Sequence, residues 1–199
     1  MKNKITHYCN IKNGKISLNG KLVFENQDEP TFLKFIKSAY KTLKIDYPKF
    51  YKMDPLCKLS LVASTILLDS MESIDSEMAL LLCNRSSCID IDKEHQSSIS
   101  YENGGYASPA TFVYTLPNIA LGEISIKYKL KSENSFFIFE NFNPKFMIDY
   151  SESLINLGKS KSVLCGWLEV NQDEYNAFVF IVEPKEGEEL SVEKLNKLL

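Results

Sequence analysis

The spacing of hydrophobic positions changes along the chain, and each change predicts a different element. Residues 4–24 alternate apolar and polar side chains around Asn13-Gly14 and Asn19-Gly20, two dipeptides typical of tight hairpin turns. We therefore expect two or three short strands in this region. From Thr31 to Leu43, apolar residues recur at helical spacing with lysines on the other side, which predicts an amphipathic helix.

Beyond this helix, the chain alternates apolar helical segments with short apolar runs. The segment from Pro55 to about Asp69 is apolar around most of its circumference, so we expect a helix covered on more than one side. Three continuous apolar runs are typical of strands buried on both faces: Met78–Cys83, Val163–Leu168 and Ala177–Val182. Residues 171–174 predict a hairpin between the last two strands, and Ser191 is expected to cap a short terminal helix. This order predicts an α/β layered fold, and 199 residues are most economically one domain over residues 1–199.

The segment from Ser108 to Ile138 carries a set of letters that resembles an enzyme motif. The matching positions are Ser108-Pro109, Phe112, Asn118, Gly122, Ile124-Ser125-Ile126, Leu130-Lys131, Asn134 and the strand 135–139. They are similar to the part of β-ketoacyl synthases, in the thiolase-like superfamily, that leads into the nucleophilic cysteine. Downstream, Gly158 and residues 163–169 resemble the family's glycine, short turn and strand.

The resemblance covers about residues 55–183. It implies the N-terminal half of a thiolase-like fold, with one mixed, mostly buried sheet and helices on its faces. Residues from Ile45 to Asp54 are further similar to small synthase-like proteins of aryl-polyene-type pigment clusters, among them non-catalytic chain-length-factor-like subunits.

The family's nucleophile position falls at Asn141 when the motif is counted from either side. A carboxamide cannot form the thioester intermediate that this chemistry needs. By the resemblance, the catalytic histidines belong to a second half for which this chain has no residues. We therefore expect a native truncation without independent activity.

The helix expected after Asn141 has two opposite stripes. The apolar stripe is Phe146, Tyr150, Leu154 and Leu157, and the polar stripe is Lys145, Asp149, Glu152 and Asn156. In the resembling family this helix is buried at the centre of the molecule. Since each unpaired buried charge costs several kcal/mol, we expect the polar stripe to face solvent.

Two aromatic groups are candidate partner surfaces. Phe112, Tyr114 and Leu116 are ordinary core residues in the simplest interpretation. The resemblance implies instead that this region borders a subunit interface and the acyl tunnel crossing it. Strand 135–139, with Phe136, Phe137 and Phe139, corresponds to the family's edge strand, which pairs across a dimer axis. We expect another chain to cover it, because an open aromatic edge favours aggregation.

Composition excludes several classes of function. The net charge of −3 and scattered lysines argue against nucleic acid as a partner. The longest apolar run, Leu59 to Leu68, is about half the ~20 residues that span a bilayer. Five cysteines without a Cys-x-x-Cys pair indicate reduced, buried thiols and a cytoplasmic location. No ligand spacing indicates a metal site, and we expect no cofactor.

The cysteines and histidines of this chain are weaker candidates for catalytic residues. Cys165 lies inside a predicted strand and is expected in the core, and His7 lies in an N-terminal strand. His95 follows three charged residues and is expected on an exposed turn. A Cys88–His95 pair is a further catalytic candidate, but no motif surrounds it.

The leading hypothesis is a catalytically silent, chain-length-factor-like subunit that pairs with itself or, preferably, a full-length β-ketoacyl synthase. It would shape the acyl tunnel in type II fatty-acid or polyene synthesis, where an acyl carrier protein delivers the chain. One alternative is a stand-alone acyl-thioester enzyme using Cys88 or His95. Another is a homodimeric protein that binds an acyl chain or a carrier protein.

Overall fold

The computed structural model describes residues 2–28, 31–100 and 105–199. The strands are β1 (Lys4–Lys12), β2 (Lys15–Leu18), β3 (Lys21–Glu25), β4 (Ala79–Asn84), β5 (Asn134–Ile138), β6 (Val163–Asn171), β7 (Glu174–Glu183) and β8 (Glu188–Glu189). The helices are α1 (Phe32–Thr42), α2 (Pro55–Leu68), α3 (Ile89–Ile99), α4 (Pro109–Val113), α5 (Asn118–Tyr128), α6 (Pro144–Asn156) and α7 (Val192–Leu198). A 3-10 helix spans Pro48–Lys52.

The strands form one mixed sheet in the order β3-β2-β1-β7-β6-β4-β5, with β8 paired to β1. Strand β4 runs parallel to both β5 and β6, whereas the other pairs are antiparallel. The three predicted apolar runs lie in β4, β6 and β7, and every residue of β4 is buried. Three strands at the N-terminus confirm the number predicted from the Asn-Gly turns, although β1, with nine residues, is longer than the short strand expected.

Helices cover both faces of this sheet, as the sequence predicts. On one face, α1, α2 and α5 pack over Leu80, Leu82 and neighbouring positions. On the other face, α6 and α7 pack over Leu81 and Cys83. Alternate residues of β4 therefore serve two separate cores, which explains why its sequence is continuously apolar.

Helix α2 occupies the centre of the larger core. Asp54 caps it by accepting hydrogen bonds from the backbone N–H groups of Leu56 and Cys57, both at 3.1 Å. Pro55 stands in the first turn, where its missing N–H is not needed. Most of the remaining side chains of α2 are buried, which confirms the prediction that this helix is covered on more than one side.

Helix α6 keeps the predicted stripes except at one end. Tyr150 and Leu154 pack on the sheet, but Leu157 is 71% exposed, so its place in the apolar stripe is wrong. The physical reason is that the helix ends at Asn156, which leaves Leu157 outside the packed face. Lys145, Asp149 and Asn156 of the polar stripe are exposed and Glu152 is half-buried, and Lys145 pairs with Asp149 at 2.7 Å.

Length and polarity rule out a bilayer span for each helix in the described ranges.

Candidate functional site

Asn141 lies in the short connection between β5 and α6, at the carboxyl end of parallel strands β4 and β5. The backbone N–H of Phe139 donates to the carbonyl of Asn84 at 2.9 Å, which continues the pairing just past β5. Asn143 then caps α6 by accepting from the N–H of Phe146 at 3.0 Å. Asn141 itself is exposed. The predicted nucleophile position therefore presents a neutral amide to solvent, two residues before a helix cap.

A carboxylate of this chain occupies the turn after β4. Glu169 accepts hydrogen bonds from the backbone N–H groups of Arg85 at 2.8 Å and Ser86 at 3.2 Å, and also from the Ser86 hydroxyl. Backbone N–H groups at the end of a strand can otherwise stabilise a substrate oxyanion. Here their hydrogen-bonding capacity is used internally, so this turn acts as a structural support.

All five cysteines are free thiols, and all five are buried. Burial raises the pKa of Cys9, Cys83 and Cys88 to about 12. Burial also raises the pKa of Cys57 and Cys165. Because the thiolate is the nucleophile, these protonated thiols are poor candidates for catalysis. The expected core position of Cys165 is confirmed.

His95 does not lie on an exposed turn, so that expectation is wrong. It is half-buried within α3, where its ring lies 5.5 Å from the ring of Phe112. Cys88 is the cap of the same helix, seven residues earlier, which is roughly 10 Å along the axis. The geometry therefore does not bring the two side chains together as a catalytic pair. His7 lies in β1, as predicted, with Nδ1 3.1 Å from the hydroxyl of Thr6.

The aromatic group at α4 is only partly in the core. Phe112 is 54% exposed and Leu116 is 47% exposed, so the simple core interpretation is wrong for both. Tyr114 is half-buried and packs against the larger core. Ser108 caps this short helix by accepting from the N–H of Thr111 at 3.2 Å. An apolar surface therefore projects from a fixed backbone position.

Strand β5 lies at the edge of the sheet, as the resemblance implies, and pairs with β4 alone among the described strands. Phe137 and Phe139 point to one face, where their rings contact Phe146 of α6 at 4.8 and 5.0 Å. Phe136 packs against the core on the opposite face. Ile138 is 49% exposed. The strand is thus held firmly from both faces while its outer edge stays open in this chain.

The structure also gathers charge that the sequence interpretation overlooked. Within residues 34–52 every lysine is exposed, and Asp46 is the one acidic residue in that range. The exposed lysines are Lys34, Lys37, Lys41, Lys44, Lys49 and Lys52. We call these six side chains the lysine face. The interpretation of the lysines as scattered overlooked their density in this segment, where the ammonium of Lys37 on α1 lies 5.9 Å from the ring centre of Tyr51 in the 3-10 helix. Their density, with Asp46 as the single acidic residue among them, was a signal available in the sequence.

A cleft of about 540 Å³ lies beside the lysine face. We call it the α4 cleft, and it is lined by Leu33, Lys52, Met53, Asp54, Pro55, Lys58, Ile91, Glu94, Ala110, Thr111, Val113 and Tyr114. These residues come from four helices and the 3-10 turn, so no contiguous motif could have indicated it. Among described residues, no group of three or more His, Cys, Asp or Glu side chains is placed to hold a metal.

Known structures resemble this fold, although no protein-family model and no curated protein matches the sequence. The ishigamide ketosynthase/chain length factor superimposes with a TM-score of 0.71 at 16% identity, over 95% of this chain and 64% of that chain. A complex of the ketosynthase ApeO with its chain length factor ApeC, from Xenorhabdus doucetiae, gives a TM-score of 0.64 at 14% identity. That match covers 94% of this chain and 81% of the other.

A third structure is AntDE:AntF, a type II polyketide synthase acyl-carrier protein in complex with its ketosynthase bound to the hexaketide. It gives a TM-score of 0.62 at 15% identity, over 92% of this chain and 62% of that chain. The chain thus spans less than two thirds of two of these three neighbours. At such identities the likeness establishes the fold, and the thiolase-like α/β half-fold that the sequence resemblance implied is confirmed.

Proposed function

We propose that this chain is a catalytically silent, chain-length-factor-like subunit that pairs with a full-length β-ketoacyl synthase and shapes its acyl tunnel. The observation that carries this proposal is the exposed carboxamide of Asn141, which stands where the sequence resemblance expects the nucleophilic cysteine. The burial and raised pKa of the five thiols add support, because a buried, protonated thiol is a poor nucleophile. In this proposal residues 1–199 act as one cytoplasmic domain.

The pairing surface in this proposal is the outer edge of β5. A strand edge presents unpaired N–H and C=O groups, which a strand from another chain can satisfy. Phe137 and Phe139 anchor the strand on α6, so adding a partner strand requires no local refolding. Ile138, half exposed on this strand, supplies an apolar contact. The solved ketosynthase:chain length factor complex provides a precedent for a partner of this kind.

The tunnel contribution is assigned to Phe112, Tyr114 and Leu116. Phe112 and Leu116 project from the surface, and His95 supports the ring of Phe112 at 5.5 Å. A bulky side chain at the end of an acyl tunnel limits chain length, because each buried methylene is worth about 0.8 kcal/mol. Phe112→Ala would therefore let the assembled pair make longer chains in type II fatty-acid or polyene synthesis.

An acyl carrier protein is the third component. The lysine face offers a surface on which an acidic partner would find complementary charge, and such steering accelerates association. A neighbour of this fold is a ketosynthase in complex with an acyl-carrier protein. Both facts support a carrier partner, which would deliver the growing chain to the paired ketosynthase.

Co-expression with the ketosynthase encoded nearby, followed by native mass spectrometry, tests the pairing. We expect a complex containing both chains. Ile138→Lys should abolish it, because a charge would enter a dry strand interface. Val23→Lys is the matched control, since Val23 is an exposed valine on β3 at the opposite edge, and the complex should persist. A chain that stays alone or forms only a homodimer would refute the proposal.

A further inference from the structure

The α4 cleft has the size and lining of a small-ligand site. Its volume of about 540 Å³ falls within the range of roughly 300–1,000 Å³ that is typical of ligand pockets. Most of its wall is apolar and comes from Leu33, Met53, Pro55, Ile91, Ala110, Val113 and Tyr114. A ligand with an apolar body would therefore bury much of its surface here.

One cation lies inside this apolar lining. Lys58 projects from the first turn of α2 and is half-buried. Desolvation lowers its pKa from the ordinary lysine value. Its ammonium donates to the carbonyl of Met53 and lies 5.8 Å from the ring centre of Phe50. Since an ammonium has three donors, two remain available for a ligand in the cleft.

No ion pair joins Lys58 to an acidic side chain among the described residues, although the nearby charge of Asp54 opposes the effect of desolvation on the Lys58 pKa. Both carboxylate oxygens of Asp54 accept backbone N–H groups at the start of α2, which holds the negative charge at the helix N-terminus. Glu94 and Lys52 also line the cleft, but both are exposed, so solvent screens their charges. Lys58 is thus the polar group best placed to orient a bound molecule.

We infer that the α4 cleft binds an amphipathic monoanion, with its apolar body against Ile91 and Val113 and its carboxylate on Lys58. This binding needs only the isolated chain and does not depend on pairing through β5. Tyr114 lines this cleft and is also one of the residues assigned to the tunnel.

Isothermal titration calorimetry with dodecanoate, below its micelle concentration, tests the inference. Dodecanol and dodecyltrimethylammonium serve as matched probes that carry the same chain with no charge or the opposite charge. We expect one dodecanoate per chain, bound at least about tenfold more tightly than either control, because a charge-assisted hydrogen bond is stronger than a neutral one. Lys58→Met should weaken dodecanoate binding by about tenfold or more, and Lys58→Arg should largely retain it.

The control variant is Lys161→Met. Lys161 lines a separate cleft of about 660 Å³ together with Met71 and Met78, and its substitution should not change the affinity. Val113→Glu, at an exposed wall position, gives a second variant should Lys58→Met fail to fold, and it should repel dodecanoate. Equal affinity for the three probes, no dodecanoate binding, or a loss caused by Lys161→Met instead of Lys58→Met would overturn the inference.

Discussion

Glu123 is a nearly buried carboxylate, 7% exposed, that joins α5 to the 3-10 helix. The hydroxyl of Tyr47 donates to its Oε2 at 2.6 Å, and the ammonium of Lys49 lies 3.6 Å from the same atom. Burial and the bond to Glu123 raise the pKa of Tyr47, so the phenol stays a donor. A desolvated carboxylate is costly without donors, which makes this contact a structural requirement beside the α4 cleft.

Tyr47→Phe should lower the free energy of unfolding by about 1–3 kcal/mol, because it removes the hydroxyl that donates to a nearly buried carboxylate oxygen. Urea denaturation of the isolated chain measures this. Tyr51→Phe is the matched control, since Tyr51 lies in the 3-10 helix that Tyr47 caps and its side chain is exposed. Its effect should stay within about 0.5 kcal/mol. Equal losses for the two variants would contradict this account of Glu123.

The buried thiols predict a loss of stability at alkaline pH. Burial raises the pKa of Cys9, Cys83 and Cys88 to about 12, whereas an unfolded cysteine titrates near ~8.5. Their contribution is fully present below about pH 8.5 and is lost as the pH rises toward 12. Urea denaturation from about pH 8 to about pH 10 should therefore show a falling free energy of unfolding.

Iodoacetamide labelling in the same range checks which thiols are responsible. All five should react slowly in the folded chain and rapidly after unfolding, because all five are buried. A single thiol that reacts in the folded chain at the unfolded rate would show an exposed or activated sulfur. For Cys88, this result would support the alternative hypothesis of a stand-alone acyl-thioester enzyme.

At the scale of elements, the sequence predicted the helices and strands whose side chains are mostly buried, because burial produces a recognisable pattern of apolar residues. Strands β4, β6 and β7 and helix α2 lie within the cores, and each contains a mostly apolar stretch. Helix α3 went unrecognised because it buries one hydrophobic side chain, Ile91, and therefore shows little apolar periodicity. Its acidic first turn, with Asp90 and Asp92, stabilises the helix through the macrodipole instead.

The features of the candidate site also differ in whether the sequence could predict them. The edge strand was predictable because one continuous motif, running from Ser108, leads into it, and the assignment of Asn141 to the nucleophile position stays a prediction from the same motif. The α4 cleft was not, because its lining joins residues from Leu33 to Tyr114 that meet only after folding. The spacing of apolar residues within one segment indicates the burial of that segment, whereas a cleft between helices depends on how the helices pack together.

Substituting alanine for two glycines tests the packing of β6 and α5. A Cβ at Gly166 would lie 2.8 Å from Cγ1 of Val179 and 3.0 Å from Cδ2 of Leu82. Gly166→Ala should therefore destabilise the chain by about 1–3 kcal/mol through overpacking.

Gly122 lies in α5 with nothing within 4 Å of an added Cβ. Gly122→Ala should stabilise by about 0.5–1 kcal/mol, because alanine favours the helix.

Thermal and urea unfolding of both variants would measure the two changes. The opposite signs are the informative result, since each substitution adds one methyl group. If Gly166→Ala were neutral, β4, β6 and β7 would not pack as closely as described.

At the scale of the whole molecule, the two edges of the sheet differ in a way that favours β5 as the pairing edge. The β3 edge is flanked by Lys21 and Glu25, and Glu25 pairs with Lys15 at 3.3 Å. Charged residues of this kind discourage strand addition. The β5 edge instead presents Ile138 and is backed by aromatic rings.

Charge is also distributed unevenly over the molecule. The lysine face is basic although the chain carries a net charge of −3, so the remaining surface is more acidic than the total suggests. An acidic partner is therefore directed toward α1 and the 3-10 helix and away from the rest of the molecule. Pairing at β5 and carrier contact at the lysine face use separate elements, which lets both partners bind together in the proposed assembly.

Intact-mass spectrometry of the assembled pair, after incubation with an acyl-carrier thioester, tests most directly whether this chain performs chemistry. We predict an acyl mass increase on the ketosynthase subunit alone, because the sequence resemblance places Asn141 at the position where a ketosynthase carries its acylated cysteine. Asn141→Ala should leave that labelling unchanged. A covalent acyl adduct on this chain, removed by Cys88→Ala, would contradict the account.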